Sequence, residues 1–162
     1  MALYWEIPSK LCPYLRPNPP PIADDLTIPE KTLARFFIGD DDHRNNTLKL
    51  IPYIPEGPWV ARNMVTGKPA IIGKKLSVTY TYAPASNGMA EYLEADLDIG
   101  SSSKAAKHIV SVCRRYMNAL TVDIGFVIQG NTDEELPEQM LGSIRLHGPD
   151  PLKAPTLSCL IV

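Results

Sequence analysis

The basic side chains between residues 104 and 115 are the strongest candidates for chemistry in this chain. They are Lys104, Lys107, Arg114 and Arg115, and His108 shares their side of a predicted helix. No acid lies within the same segment. Cations gathered on one helix face attract anionic lipid headgroups, and each contributes about 1 kcal/mol near a charged surface. We therefore predict that these four cations bind lipid headgroups, with an anionic phospholipid, a membrane surface or an acidic protein as the partner.

A plainer interpretation of the same cations remains open. They form an ordinary solvated face, or they neutralise acidic segments elsewhere, such as the predicted acidic helix from Asp133 to Glu138. A second functional hypothesis uses those acids: the chain is a protein-interaction module without lipid contact. In that case Asp40 to Asp42 and Asp133 to Glu138 are its charged recognition surfaces.

Three further acids recur at every second residue. Glu94, Asp96 and Asp98 alternate with apolar residues, so a strand would carry them on one face about 7 Å apart. Such a row could ligate calcium or support a metal-dependent hydrolase, but adjacent calcium ligands usually converge from a tight loop. We therefore predict no metal site, and expect a solvated strand face or pairing with cations of a neighbouring strand. The candidate cations are Lys74, Lys75 and Arg62.

Residues typical of catalysis lack their usual motifs. The chain has three histidines and three cysteines, but no Gly-Xaa-Ser-Xaa-Gly elbow, no His-Glu-Xaa-Xaa-His pair and no phosphate-binding glycine loop. Cys113 falls on the apolar stripe of the predicted helix, so we expect an inert core thiol. Trp59 and Tyr80 could line an apolar ligand pocket, although core packing is more usual for large aromatics near strands. We predict a non-enzymatic protein with no catalytic residue and no cofactor.

The last four residues have the form of a prenylation signal. Cys159 is followed by two aliphatic residues and by Val162 at the end of the chain. Valine is not typical at that last position, and no polybasic stretch precedes the cysteine. Cys159 is therefore a candidate lipidation site, set against an apolar tail that packs or frays.

Composition limits the class of protein and its surroundings. A chain of 162 residues that is 44% hydrophobic is typical of one soluble globular domain, and a net charge of −2 argues against general nucleic-acid binding. Three widely separated cysteines favour a reducing compartment. No apolar run approaches the roughly 20 residues of a membrane span. We expect a cytoplasmic protein, associated with membranes only at their periphery.

Hydrophobic periodicity predicts the helices and strands that carry these residues. Several strands precede one long helix from Ser103 to Leu120, after which come a strand, a short acidic helix and a last strand. This order predicts an α+β fold, in which a curved antiparallel sheet packs against one long helix plus short helices. The other predicted helix begins near Pro29 and ends at Gly39. The predicted strands are Leu3 to Ile7, Leu48 to Ile54 at an edge or bulge, a strand after Trp59, Ala70 to Tyr82, Tyr92 to Ile99, Val122 to Gln129, and Ser143 to Leu146.

Four sequence blocks occur in an order that resembles one known family. They are Glu56-Gly-Pro-Trp59, Gly73-Lys-Lys-Leu76, Tyr92-Leu-Glu-Ala-Asp-Leu-Asp-Ile-Gly-Ser-Ser102 and Glu135-Leu-Pro-Glu-Gln-Met-Leu-Gly142. From about Trp5 to about Leu146 the chain resembles the C-terminal domain of plant Enhanced Disease Resistance Two-like proteins.

The resemblance carries expectations about organisation and function. Residues 1–148 are expected to be a single domain of this type that starts inside the family domain, and residues 149–162 a loosely ordered tail. In plant members the domain follows a phosphoinositide-binding pleckstrin-homology domain and a lipid-binding START domain. The resemblance therefore implies a signalling role in lipid- or membrane-linked regulation, and it implies no established catalysis.

Overall fold

Residues 2–149, which the computed structural model describes, form four α-helices and six β-strands. The helices are α1 (Ile28–Ile38), α2 (Asp41–Thr47), α3 (Trp59–Val65) and α4 (Lys104–Arg115). The strands are β1 (Leu48–Glu56), β2 (Ala70–Ile71), β3 (Ser77–Ala83), β4 (Tyr92–Asp98), β5 (Thr121–Ile128) and β6 (Met140–His147).

The strands form two antiparallel sheets. The larger, curved sheet has the order β2-β1-β5-β6, and β3 and β4 pair as a separate hairpin. Helices and sheets together confirm the predicted α+β fold class. The hairpin also confirms the turn predicted at Asn87-Gly88, where both residues have positive φ, at 50° and 80°.

The prolines of β1 explain why its pairing is uneven. Although β1 lies inside the sheet, β2 pairs with it only at Lys49 and Leu50, and the register with β5 shifts between Tyr53 and Glu56. Pro52 and Pro55 therefore lie beyond the paired stretch of β2. Proline has no amide proton, so Pro52 is tolerated where none of the described strands pairs with β1 on the β2 side, and Pro55 is tolerated within the register shift.

The main core lies between the large sheet, the hairpin and α1. Phe36 of α1 is 5% exposed and makes edge-to-face contacts with Phe37 and with Tyr80 of β3, each with 6.1 Å between ring centroids. The guanidinium of Arg44 lies over the Tyr80 ring, 5.5 Å from its centroid. The buried members of this cluster are Leu11, Tyr14, Leu15, Leu26, Ala34, Phe36, Phe37, Leu48, Ile72 and Ile128. Because the apolar side of the hairpin packs against the same cluster, the two sheets share one core.

Two predicted strands are wrong, and a third, Ala70 to Tyr82, is divided into β2 and β3 by a 3-10 turn, Ile72–Lys74. The stretch Leu3 to Ile7 forms no strand and leads into a 3-10 turn, Ser9–Leu15, whose apolar residues enter the core. The residues after Pro58 form helix α3 instead of a strand. Proline immediately before a first helical turn favours that helix, and Ala61 and Val65 follow at helical spacing on its inner side.

Both predicted C-terminal helices are shorter than expected. The long helix ends at Arg115 rather than Leu120, because Tyr116 leaves helical geometry and a 3-10 turn, Met117–Ala119, follows. The acidic helix is only a 3-10 turn, Asp133–Glu135. Pro137 lacks the amide proton that a continuing helix would use there.

The start of α1 is fixed by a capping box. The backbone N–H of Thr27 donates to Glu30 Oε2 at 2.9 Å, and the Thr27 side chain faces the third backbone amide of the helix. Lys10 Nζ lies 2.6 Å from Glu30 Oε1. These contacts, led by the bond from Lys10, lower the pKa of Glu30 to about 2.

We expect Glu30→Gln to lower the stability at neutral pH, by an amount that shrinks in acid. The pKa of Glu30 lies below its ordinary value of 4.5, so its stabilisation is complete above that pH and is lost as the pH falls towards about 2. Urea denaturation of wild type and variant between pH 7 and pH 2 measures this. Glu134→Gln on the surface is the control, and a Glu30 difference that persists unchanged at pH 2 would contradict the prediction.

The turn between β1 and α3 depends on glycine. Gly57 has a φ of 140°, and a Cβ added there would lie 2.4 Å from Cδ2 of Leu120, which is fully buried. We expect Gly57→Ala to reduce the free energy of unfolding by about 2 kcal/mol or more, through backbone strain and the clash with Leu120. For a chain of this size that lowers the melting temperature by roughly 4–8 °C.

Gly88 provides the matched control for this substitution. It also has positive φ, but nothing lies within 4 Å of an added Cβ. Gly88→Ala should therefore cost only the backbone strain, about 1 kcal/mol. Equal losses in calorimetry for the two variants would show that contact with Leu120 does not matter.

Candidate functional site

The basic face of α4 consists of Lys104, Lys107, Arg114 and Arg115. All four residues are exposed, as is His108 beside them. At 3.6 residues per turn they fall within about 120° of the helix circumference, so the predicted common face is present. None of the ion pairs formed within residues 2–149 involves these four cations.

The opposite side of α4 holds the helix in place. Cys113 and Tyr116 pack against a second buried cluster, to which α3 contributes Ala61 and Val65. The centre of that cluster is Leu120, which is 2% exposed. The Cys113 thiol is free, and burial raises its pKa, so it favours the unreactive protonated form.

Two of the four acids between residues 133 and 138 pair with cations other than those of α4. Glu135 pairs with Arg35 of α1, and Glu138 pairs with Lys49 of β1. Glu135 also accepts the backbone N–H of Asn131, and this bond is the main reason that its pKa is lowered. These side chains therefore join the segment after β5 to α1 and β1 and do not neutralise the basic face.

Two of the three acids at residues 40–42 also have structural partners. Asp40 caps α2 by accepting the backbone N–H of His43 at 2.8 Å, and Asp41 pairs with Arg44 at 2.9 Å. Arg44 in turn donates to the carbonyl oxygens of Phe36 and Phe37. The segment predicted as an acidic recognition surface thus helps to hold α1 against α2.

The acidic strand has the predicted alternation but no ligand geometry. On β4 the acids are exposed and the intervening apolar residues are partly buried. Their cross-strand neighbours on β3 are Ser77, Thr79 and Thr81, so the pairing with Lys74, Lys75 or Arg62 across strands does not occur. Within residues 2–149, no group of three His, Cys, Asp or Glu side chains could hold a metal ion. The described strand is a solvated face.

The two aromatic residues expected in the core behave differently. Tyr80 is partly buried against the main core, and burial raises its pKa to about 12. The prediction is wrong for Trp59, which is 72% exposed. Trp59 begins α3, where the inward positions belong to Ala61 and Val65, so helical spacing turns its indole outwards.

The best-defined pockets of the described residues are open surface clefts. One has a volume of about 280 Å³ and is lined by Trp59, Arg62, Asn63 and Thr66; the other, about 210 Å³, lies beside Pro17 and Tyr82. The α3 cleft was missed because a strand was predicted there. Its spacing of i, i+3, i+4 and i+7 is a helical signal that could have revealed it. Both clefts are open to solvent and offer surfaces for contact.

The predicted tail and the candidate lipidation site are at the C-terminus. Apart from Pro149, this tail, including Cys159, lies outside the described residues. Between residues 2 and 149, no helix is both long enough and apolar enough to cross a bilayer.

Comparisons with known proteins identify relatives of the whole domain. The family model for the C-terminal region of Protein ENHANCED DISEASE RESISTANCE 2 matches residues 1–150. A protein of Arabidopsis thaliana described as Protein ENHANCED DISEASE RESISTANCE 2-like is 39% identical over 119 residues, which are 74% of this chain and 16% of the relative. The chain thus corresponds to a small part of that relative's length. No solved structure matches the chain significantly.

Proposed function

The chain belongs to the family of ENHANCED DISEASE RESISTANCE 2 C-terminal domains, and from that premise we propose that it is a non-enzymatic regulatory domain that binds anionic lipid surfaces. The basic face of α4 makes the contact. Anionic phospholipid is the partner, and the protein acts in the cytoplasm at the periphery of a membrane.

One observation carries the proposal: four exposed cations on one helix have no ion-pair partner within residues 2–149. At about 1 kcal/mol each, they supply about 4 kcal/mol at an anionic surface, which corresponds to a dissociation constant of about 1 mM. Such binding is modest and reversible. It is also salt-sensitive, because exposed charges are screened over about 8 Å at physiological ionic strength.

Of the seven acids that the interaction-module hypothesis requires, four already have partners within the domain. Asp40, Asp41, Glu135 and Glu138 cap helices or pair with cations of the same domain. Recruiting them to an external basic partner would break contacts that hold α1, α2 and β1 together. Lipid contact through α4 breaks no ion pair formed within residues 2–149, because its four cations take part in none of them.

Vesicle flotation tests the proposal. Wild-type protein should float with phosphatidylcholine vesicles that contain phosphatidylserine or a phosphoinositide, and should stay at the bottom with phosphatidylcholine alone. Arg114→Glu/Arg115→Glu should lose this binding. The matched control Lys74→Glu/Lys75→Glu changes the net charge equally, at exposed positions outside α4, and should retain most of it. Equal recovery of the two variants, or no wild-type binding at low salt, would overturn the proposal.

A further inference from the structure

The exposure of Trp59 is unusually high for a tryptophan. Its relative exposure is 72%, whereas the chain's other tryptophan, Trp5, makes an edge-to-face contact with Phe126 at 5.2 Å. Tryptophan is highly buried on average, since it presents a large apolar area to water. Its exposure therefore points to a contact outside the domain.

The local structure presents this indole in a fixed position. Trp59 is the first residue of α3, directly after the turn in which Gly57 packs against Leu120. Ala61, which is fully buried, faces inwards from the same helix. The indole is thus carried on a helix that is held from its opposite side, and little conformational freedom of the backbone is lost when it is bound.

The surroundings of Trp59 combine apolar and cationic groups. With Arg62, Asn63 and Thr66 it lines the cleft of about 280 Å³ on the outer face of α3. Arg62 is exposed and takes part in none of the ion pairs formed within residues 2–149. An indole beside a free guanidinium is complementary to a ligand that is both anionic and amphiphilic.

α3 and α4 belong to one packed unit. Ala61 and Val65 of α3 share a buried cluster with Cys113 and Tyr116, at the end of the helix that carries the basic face. The two helices therefore share one buried cluster, and α3 lies beside the helix that carries the basic face. A bilayer supplies both the negative charge and the apolar depth that this combination requires.

We propose that Trp59 is an interfacial anchor, whose indole enters the boundary between headgroups and acyl chains of the anionic bilayer bound by α4, while Arg62 contacts lipid phosphate. Tryptophan favours this boundary because its ring is apolar and its N–H is polar. Binding of an interfacial helix grows with the apolar area buried as well as with charge. The inference rests on the proposed function and adds an apolar contact to it.

Tryptophan fluorescence tests the anchor directly. The chain has two tryptophans, so Trp5→Phe leaves Trp59 as the only reporter. Its emission should shift to the blue with phosphatidylserine-containing vesicles, and lipids brominated near the headgroup boundary should quench it. Phosphatidylcholine vesicles should cause no shift. Adding Arg114→Glu/Arg115→Glu should abolish the response, because α4 brings the bilayer to Trp59.

A binding comparison supplies the second test. Trp59→Ala should weaken partitioning into anionic vesicles about tenfold, since it removes the apolar area that the anchor buries in the bilayer. Tyr4→Ala is the matched control, because Tyr4 is an aromatic residue with 90% exposure near the N-terminus, outside α3 and α4, and it should leave partitioning unchanged. Circular dichroism of each variant checks that the fold is retained.

The outcomes separate the anchor from the proposed function. Wild-type binding with unshifted Trp59 emission and normal binding of Trp59→Ala would overturn the anchor and leave lipid binding by α4 in place. No binding of the wild type would overturn both. A blue shift that follows protein concentration without lipid would assign Trp59 to self-association and also overturn the anchor.

Discussion

Replacing all four cations of the basic face by glutamine is expected to reduce the affinity for phosphatidylserine-containing vesicles about 1,000-fold at low salt. The contributions of the four cations to the binding free energy add. Each cation contributes about 1 kcal/mol near an anionic surface, and about 1.4 kcal/mol corresponds to a factor of ten in affinity. The substituted residues are Lys104, Lys107, Arg114 and Arg115. Titration of labelled protein with vesicles measures the change.

A charge-preserving variant is the matched control for this prediction. Exchanging each Lys for Arg and each Arg for Lys at the same four positions keeps the charge, and should keep the affinity within a few-fold if attraction to the surface is electrostatic. Raising the ionic strength should weaken wild type and control alike and leave the glutamine variant unchanged. A glutamine variant that binds as tightly as wild type would show that α4 is not the lipid contact.

The largest effect on folding is expected for Phe36→Ala, which should reduce the free energy of unfolding by about 3–5 kcal/mol. Phe36 is 5% exposed and lies at the contact between α1 and β3, where its ring meets Phe37 and Tyr80. Truncation removes both aromatic contacts and leaves a cavity between α1 and the hairpin. Urea denaturation followed by circular dichroism measures the loss.

Substitution of the neighbouring tyrosine tests whether lost ring packing explains this effect. The Tyr80 hydroxyl is buried and has no hydrogen-bond partner among residues 2–149. Tyr80→Phe keeps the ring and removes this unpaired group, so we expect a neutral or stabilising effect. If Phe36→Ala cost no more than a surface substitution, about 0.5 kcal/mol, the hairpin and the large sheet would not share the core described above.

Local signals in the sequence predicted the elements that they specify. The alternation in β3 and β4, with Asn87-Gly88 between them, predicted the hairpin because strand period and turn type both depend on neighbouring residues. Pro29 and the apolar spacing that follows likewise predicted α1. These features are fixed within a few residues, so a single chain suffices to recognise them.

The missed elements depended on weaker local signals or on distant contacts. Helix α3 has only seven residues, and Trp59 within it was assigned to the core on residue type alone. The N-terminal segment is held by distant parts of the chain, as shown by Trp5 on Phe126 and by Arg16, which donates two hydrogen bonds to Glu91. Apolar composition near a terminus does not specify such a partner.

For the candidate site, helical periodicity in the sequence was enough to predict that the cations of α4 share one face, because this periodicity is a local property. Which charged side chains lack an ion pair within residues 2–149 depends instead on the tertiary structure. Glu135 pairs with Arg35 across 100 residues of sequence, and Glu138 with Lys49 across 89. Ion pairing between such distant residues depends on how α1, β1 and the segment after β5 pack together. That packing also leaves Trp59 in solvent, although its residue type alone predicts burial.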